Sequence, residues 1–222
     1  MSQDSHLQQA VMAELAWEPS VDPAHIGVTA QNGVVTLSGH VDSFARKLAA
    51  GTAARRVKGV KGVKGVKALA EEIEVRLGSH MKRGDDEIAE AALARLSWNV
   101  SVPANSVKVE VEKGWVTLTG QLDWNYQRDA AGEDIRWLFG VVGVSNNTTI
   151  KPRVNTSNLS DDITHALHRS WFFDPDTVKV SASGGKVKLT GSVDSFHDRA
   201  VAAETAWAAP GATSVENDIV VN

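Results

Sequence analysis

A short repeat of lysine, glycine and valine is the first stretch whose residues could do chemistry. Residues 55–67 read RRVKGVKGVKGVK, and no Asp or Glu occurs from 45 to 67. A phosphate-binding loop would need Gly-x-x-x-x-Gly-Lys-Ser/Thr between a strand and a helix, so that backbone N–H groups meet the anion. This run lacks the Ser or Thr and follows a predicted helix, which argues against nucleotide binding.

The positive charge of the same run favours contact with an anionic surface instead. Near a charged lipid leaflet each lysine contributes roughly 1 kcal/mol, before ordering costs and salt screening. The alternative is an inert duplication in an exposed loop, because lengthening a flexible loop costs little free energy. The residues predicted to contact an anionic surface are Arg55, Arg56, Lys58, Lys61, Lys64 and Lys67.

Side chains that bind metals or catalyse reactions do not group together in the sequence. His165 and His168 are three residues apart on a predicted helix, but no third metal ligand accompanies them. No Ser-His-Asp arrangement or pair of carboxylates recurs along the chain. There are no cysteines, which excludes disulfide bonds and thiolate zinc sites. We therefore predict no catalytic residue, no metal site and no cofactor.

The chain has seven tryptophans, whose rings could stack on sugars or bases. Trp17, Trp98 and Trp171 lie near the ends of predicted helices, where packing in the core or at its edge is the simpler prediction. Trp115 is the exception, because it stands in the phase of a predicted strand that faces away from the core. We predict that Trp115 is exposed and contacts a neighbouring repeat or a partner.

These residues are positioned by a unit that the sequence repeats three times. GVVTLSGHVDSF at 33–44 returns as GWVTLTGQLDWN at 114–125 and as GKVKLTGSVDSF at 185–196. The second glycine of the motif is Gly39, Gly120 or Gly191, at spacings of 81 and 71 residues. Self-similarity of this kind indicates tandem structural units.

Each copy predicts the same order of elements. It opens with apolar residues four apart, as at Leu7, Val11 and Leu15, which is the spacing of an amphipathic helix. Two alternating runs joined by QNG, EKG or SGG indicate a β-hairpin, and a second helix and a short strand follow. The predicted fold is α+β: three tandem αββαβ two-layer sandwiches, each a three-stranded mixed sheet with two helices on one face.

The second helix of each copy begins just after the hairpin. In copy one its apolar positions include Phe44, Leu48 and Val57. An acid follows each hairpin, namely Asp42, Asp123 or Asp194, and a helix cap is predicted to explain this recurrence. In copy one, either Ser43 or Asp42 is predicted to cap the helix.

The predicted domains are residues 1–79, 80–154 and 155–222. The first is longer because two Lys-Gly-Val triplets are inserted between its second helix and its third strand. Gly59 follows Asp42 at the distance at which Gly140 follows Asp123, but Gly65, six residues on, matches the later strand. The repeat at 55–67 is therefore predicted to be a loop.

The first copy resembles a known family in the segment EPSVDPAHIGVTAQNGVVTLSGHVDSFARKLAAGTAARRVKGV, followed by EEIEV. It is similar to the BON (bacterial OsmY and nodulation) domain, through Gly-x-Val-x-Leu-x-Gly and a downstream Val-x-Gly-Val, and copies two and three fit more loosely. The resemblance covers nearly the whole chain. It implies an αββαβ fold, no enzymatic activity, and binding of phospholipid or envelope surfaces, often in osmotic or general stress.

Charge and composition restrict the partner and the compartment. The formal net charge of −4 argues against specific nucleic-acid binding, and no stretch approaches the roughly 20 apolar residues of a membrane-spanning helix. The N-terminus has acids where a signal peptide has a basic start, so we expect a cytoplasmic protein. The resemblance to the BON family implies a different location, because many members of that family are exported or lipid-anchored. The residues indicate no particular oligomeric state.

Two functions remain open. Residues 1–79 carry 9 Lys and Arg against 8 Asp and Glu, whereas residues 80–152 carry 8 against 10 and residues 153–222 carry 6 against 9. The basic first copy favours a binding protein that docks on anionic phospholipid or envelope surfaces. The acidic second and third copies favour a scaffold for protein interactions, or a sensor of a small ligand or ion, with no lipid role.

Overall fold

The structure is a computed structural model that describes residues 2–57, 65–152, 158–169 and 177–221. Over these residues it has the predicted α+β architecture, with three sheets and six helices in three αββαβ repeats. Short 3₁₀ helices at Pro23–His25 and Ser79–Met81 are additions within and after the first copy.

The first copy is built from two helices and three strands. These are α1 (Gln3–Trp17), β1 (Ile26–Gln31), β2 (Val34–Val41), α2 (Phe44–Arg56) and β3 (Ala68–Val75). β1 pairs antiparallel with β2, and β3 lies on the other side of β2. Lys67 N donates to Gly33 O (2.8 Å) at one end of β3, and Arg76 N donates to Val41 O (2.7 Å) at the other. These two bonds show that β3 runs parallel to β2.

The second copy divides its last strand in two. Its elements are α3 (Asp85–Trp98), β4 (Val107–Glu112), β5 (Trp115–Leu122), α4 (Asn125–Arg136), β6 (Gly143–Asn146) and β7 (Thr149–Ile150). β4 is antiparallel to β5, and β6 and β7 are both parallel to it. At the interruption, Asn146 Oδ1 accepts hydrogen bonds from Thr148 Oγ1 (2.6 Å) and Thr148 N (3.3 Å).

The third copy has a continuous last strand. Its elements are α5 (Leu159–Arg169), β8 (Val178–Ser183), β9 (Lys186–Val193), α6 (Phe196–Trp207) and β10 (Ser214–Val221). β9 pairs antiparallel with β8 and parallel with β10 over eight residue pairs. The last strands of the three copies begin at Ala68, Gly143 and Ser214.

The buried face of each sheet carries the predicted apolar residues. Leu7, Val11 and Leu15 of α1 are buried, as are the equivalent residues of α3 and α5. On β2, Val35 and Leu37 are fully buried, and the intervening positions face outward. Burial of such side chains stabilises the fold by roughly 1.5–3 kcal/mol each.

The second helix of copy one packs through smaller residues than predicted. Its buried positions are Ala50, Gly51, Ala53 and Ala54, whereas the predicted Phe44, Leu48 and Val57 are only partly buried. Small side chains let the helix backbone approach the sheet closely, and they leave the larger residues at its margin.

The prediction that an aspartate caps the second helix is wrong in copies two and three. The N-caps are Trp124 and Ser195, so Asp123 and Asp194 each lie one residue before the cap. Ser195 is better placed, because its Oγ accepts a hydrogen bond from the backbone N of Asp198 (3.1 Å). Asp123 pairs instead with Lys151 (3.0 Å).

The second glycine of the repeated motif allows two strands to approach closely. Gly191 has φ of +126°, and a Cβ added to it would lie 1.9 Å from Thr177 O. Gly39 and Gly120 have positive φ as well, and a Cβ there would lie 2.1 Å from a carbonyl oxygen. No other residue can occupy this position without moving the backbone.

The register of β3 supports the predicted insertion. Val66 and Val141 are both buried at 1% exposure, and they are equivalent only if Gly65, not Gly59, matches Gly140. The hydrogen bond from Lys67 N to Gly33 O has counterparts from Val142 N to Gly114 O and from Thr213 N to Gly185 O. The inserted residues before Gly65 lie outside the described residues.

The chain separates into two compact units. One comprises Val41–Ala45 and Val75–Lys151, which is the second copy with a short piece of the first. The other comprises Met1–His40, Arg46–Glu74 and Pro152–Asn222. The domain boundaries at 79 and 154 stay predictions.

Candidate functional site

The structure describes only part of the predicted contact surface of copy one. Lys58, Lys61 and Lys64 lie outside the described residues, and no contact is assigned to them. Lys67 is exposed just before β3. The structure therefore shows the surroundings of three of the six basic residues.

The two arginines at the end of α2 are engaged within copy one. Arg55 Nη2 donates to Glu71 Oε1 (2.6 Å), and Glu71 lies over the small Gly51. Arg56 donates to Glu14 Oε1 (2.9 Å) and Glu18 Oε2 (2.8 Å), which links the ends of α1 and α2. These carboxylates neutralise much of the positive charge that the local sequence suggests.

Hydrogen bonding shifts the pKa values in this cluster. The pKa of Glu18 is lowered, first by a hydrogen bond from Ser20 and then by one from Arg56. The pKa of Arg56 is raised, chiefly by its hydrogen bond to Glu18. Both shifts favour the charged forms, so the cluster persists at neutral pH.

Replacing Arg56 with glutamine is expected to reduce the free energy of unfolding by up to about 1 kcal/mol in low salt. The loss should disappear in 0.5 M salt, because exposed ion pairs are screened. A carboxyl with a lowered pKa stabilises the fold above its ordinary pKa, and that contribution ends as pH falls through its folded pKa. The difference between the variant and the parent should therefore shrink below pH 4.5, the ordinary value for Glu18. Denaturant titrations at two salt concentrations and several pH values measure both effects.

Copy two also links its first and second helices, but the positive and negative residues are exchanged relative to copy one. Arg95 and Asn99, which follow the spacing of Glu14 and Glu18, contact Asp134 on α4 at 3.4 Å and 2.6 Å. Here the first helix supplies the cation and the second supplies the acid. The link between helices is thus retained, while its charges are exchanged.

Trp115 is exposed on the open face of its sheet, as the strand alternation predicted. It is 49% exposed, and its Nε1 donates to Ser145 Oγ (2.9 Å) on β6. Trp115 belongs to copy two, whereas the described basic residues Arg55, Arg56 and Lys67 belong to copy one. Its role as a contact for a partner stays a prediction.

The packing prediction for two other tryptophans is wrong. Trp17 is 81% exposed and Trp98 is 85% exposed, each at the last residue of its helix. Buried Leu15 and Leu96 precede them by two residues, which turns the tryptophans away from the core. Trp171 lies outside the described residues.

The described residues offer neither a cluster of metal ligands nor a membrane-spanning helix. Over the ranges that the structure describes, no three His, Cys, Asp or Glu side chains group as metal ligands. His165 and His168 are both exposed on α5. Within the same ranges, no helix combines the length and the apolar character needed to cross a bilayer.

Sequence reasoning missed an aspartate that holds the hairpin turn. Asp85, the first residue of α3, accepts hydrogen bonds from Lys113 N (2.7 Å) and Gly114 N (2.8 Å). Asp4 of α1 accepts one from Gly33 N (3.4 Å) in copy one. Aspartate recurs at the same helix position in two copies, and this recurrence could have predicted its contact with the hairpin turn.

An asparagine on the last strand holds the second helix in two copies. Asn146 Nδ2 donates to Arg128 O (2.6 Å), and Asn217 Nδ2 donates to Arg199 O (2.9 Å). The side chains of the two arginines donate in return to the carbonyl oxygens of the same asparagines. These residues secure the fold and add no reactive group.

Comparisons with known proteins agree with the repeated architecture. The family described as BON domain matches residues 3–76, 84–152 and 155–222. Osmotically-inducible protein Y of Escherichia coli (strain K12) is 32% identical over 148 residues, which are 67% of this chain and 73% of that protein.

Two solved structures of CdsD, a structural protein of the type III secretion system of Chlamydia trachomatis, are more distant. They are 18% and 17% identical and cover 98% and 97% of this chain. The matches span 92% and 97% of those chains, with TM-scores of 0.27 and 0.26. Scores this low support no argument.

Three αββαβ repeats, each matched by the same family over almost its full length, account for nearly the whole sequence. The relative from Escherichia coli matches two thirds of the chain. The chain belongs to the BON domain family and carries three tandem copies of the domain.

Proposed function

We propose that the chain is a non-enzymatic binding protein that docks on an anionic phospholipid or envelope surface through copy one, in the response to osmotic stress. The link to osmotic stress comes from the name of the Escherichia coli relative. The observation that supports docking is the absence of any acid from 45 to 67, a stretch that ends at the exposed Lys67.

The contacts of the arginines refine this proposal. Arg55 and Arg56 are paired with acids of α1 and β3, so they contribute less to a docking surface than their charge suggests. The proposed contact with the anionic surface therefore rests mainly on the lysines of the repeat, which are Lys58, Lys61, Lys64 and Lys67. Each contributes about 1 kcal/mol near an anionic leaflet, before ordering costs.

Deleting Lys61–Val66 tests the docking proposal. The shortened sequence RRVKGVKALAEEIEV keeps a glycine and a valine before β3, so Val60 should take the place of the buried Val66 and the fold should be retained. Two lysines are lost, and binding to vesicles with anionic lipid should weaken by at most about 2 kcal/mol. Flotation of the full chain with anionic and neutral vesicles measures the change. Raising salt from 0.05 M to 0.5 M should abolish it.

Two point variants give a matched comparison. Lys67→Ala should weaken vesicle binding more than Arg55→Ala, because Arg55 is already paired with Glu71. Equal binding by the deletion variant and the parent would show that the triplets are an inert duplication. Unfolding of the deletion variant would contradict the alignment of Gly65 with Gly140.

A second candidate function is a scaffold for protein interactions, or a sensor of a small ligand or ion, with no lipid role. The exposed aromatic residues of the acidic copy two favour it, namely Trp98, Trp115, Tyr126, Trp137 and Phe139. Binding of this kind should depend weakly on salt, which separates it from docking on anionic lipid. The cytoplasmic location remains a prediction.

A further inference from the structure

The ring of Trp115 lies across the last strand of copy two. Trp115 is opposite Gly143 in the parallel pairing of β5 with β6. A Cβ added to Gly143 would lie 2.3 Å from both Cε3 and Cζ3 of the indole, so the ring covers the glycine. The hydrogen bond from Nε1 to Ser145 Oγ (2.9 Å) fixes the other end of the ring. The sheet therefore presents a fixed indole whose second face is open to solvent.

The side chains on the other flank of Trp115 are hydrogen-bond acceptors. In the antiparallel pairing with β4, Glu112 lies opposite Trp115 and Glu110 lies opposite Thr117. Both glutamates are exposed, and Thr117 is half-buried between them and β6. Two carboxylates and a hydroxyl thus lie on the open face beside the backbone of Trp115, and Lys113 Nζ lies 3.9 Å from Glu112 Oε1.

This charge pattern discriminates between the ligands that stack on tryptophan. A nucleic acid brings phosphates, which the two carboxylates repel, and copy two carries more acids than bases. A neutral sugar brings hydroxyl groups, which donate to carboxylates, and C–H groups, which favour the negative face of an aromatic ring. The surroundings of Trp115 complement the sugar.

We propose that the open sheet face of copy two binds a neutral carbohydrate, with one pyranose ring stacked on Trp115. The hydroxyl groups at the edge of the pyranose ring donate hydrogen bonds to Glu110 and Glu112. Copies one and three have Val34 and Lys186 at this position, so the site belongs to copy two. The proposal is independent of lipid docking by copy one.

The test measures binding of two neutral β-1,4-linked tetrasaccharides, one of glucose and one of N-acetylglucosamine, to the full chain by calorimetry and NMR titration. Their flat chains expose axial C–H groups that fit an indole face. Trp115→Val places the residue of copy one at the site and should weaken binding at least tenfold. Trp98→Ala is the matched control, because Trp98 is 85% exposed but lies at the end of α3, and it should leave binding unchanged.

A second variant and a second probe complete the test. If the valine variant does not fold, Trp115→Lys takes its place in the test. This variant places the residue of copy three at the site and should weaken binding by the same factor. Binding should be equal in 0.05 M and 0.5 M salt, since no ion pair with the ligand is involved. The proposal is overturned if neither tetrasaccharide binds at millimolar concentration, if folded Trp115 variants bind as the parent does, or if an oligodeoxythymidine binds at Trp115 instead.

Discussion

Replacing Gly191 with alanine is expected to destabilise the third copy by about 3 kcal/mol or more. The φ of +126° is one that residues with a Cβ rarely adopt, and the new methyl carbon would lie 1.9 Å from Thr177 O. The obstacle is backbone, which cannot rotate away as a side chain can. β8 must separate from β9 to admit the methyl group, and the hydrogen bonds at that end of the hairpin are lost. Chemical denaturation followed by circular dichroism measures the loss.

Gly184→Ala is the control for this prediction. Gly184 lies in the turn of the same hairpin and also has positive φ, at +56°, but a Cβ added to it would have no atom of the described residues within 4 Å. We expect a cost of about 1 kcal/mol, from the backbone conformation alone. If the two variants lose equal stability, close approach of the strands does not explain the repeated glycine.

Replacing Leu118 with alanine is expected to reduce the free energy of unfolding of copy two by about 3–4 kcal/mol. Leu118 is fully buried on β5, so its removal leaves a cavity beneath α3 and α4. Leu93 on α3 is 55% exposed, and Leu93→Ala should change stability by less than about 0.5 kcal/mol. A large effect at Leu93 would mean that this helix face is covered in solution.

Hydrogen exchange on the Leu118 variant also tests the predicted domains. If residues 80–154 fold as a separate domain, faster amide exchange should be confined to that range. Faster exchange throughout the chain would contradict the boundaries at 79 and 154. The parent and Leu93→Ala supply the reference rates.

The sequence was sufficient for features that depend on local periodicity. The four-residue spacing of Leu7, Val11 and Leu15 predicted both the helix and its buried face, since each turn returns to the same side. The alternation around Val116 and Leu118 predicted the buried and open faces of the second hairpin, including the exposure of Trp115.

Features that join distant residues were not predictable in this way. The repeat beginning at Arg55 reads as a run of free cations, yet Arg56 meets Glu14 and Glu18, which lie 42 and 38 residues earlier in the chain. Only the packing of α1 beside α2 brings these charges together. The exposure of Trp17 also escaped prediction, because an aromatic residue at a helix end can turn inward or outward.

The ion pairs that link the first and second helices have reversed charges in copies one and two, and this reversal has a consequence for folding. Tandem domains with the same topology can exchange equivalent elements and misassemble. If α1 replaced α3, Glu14 would face Asp134, and if α3 replaced α1, Arg95 would face Arg56. Each exchange would place like charges together, whereas correct assembly pairs opposite ones. The opposite charges of the two links therefore disfavour an exchange of α1 and α3 between copies one and two.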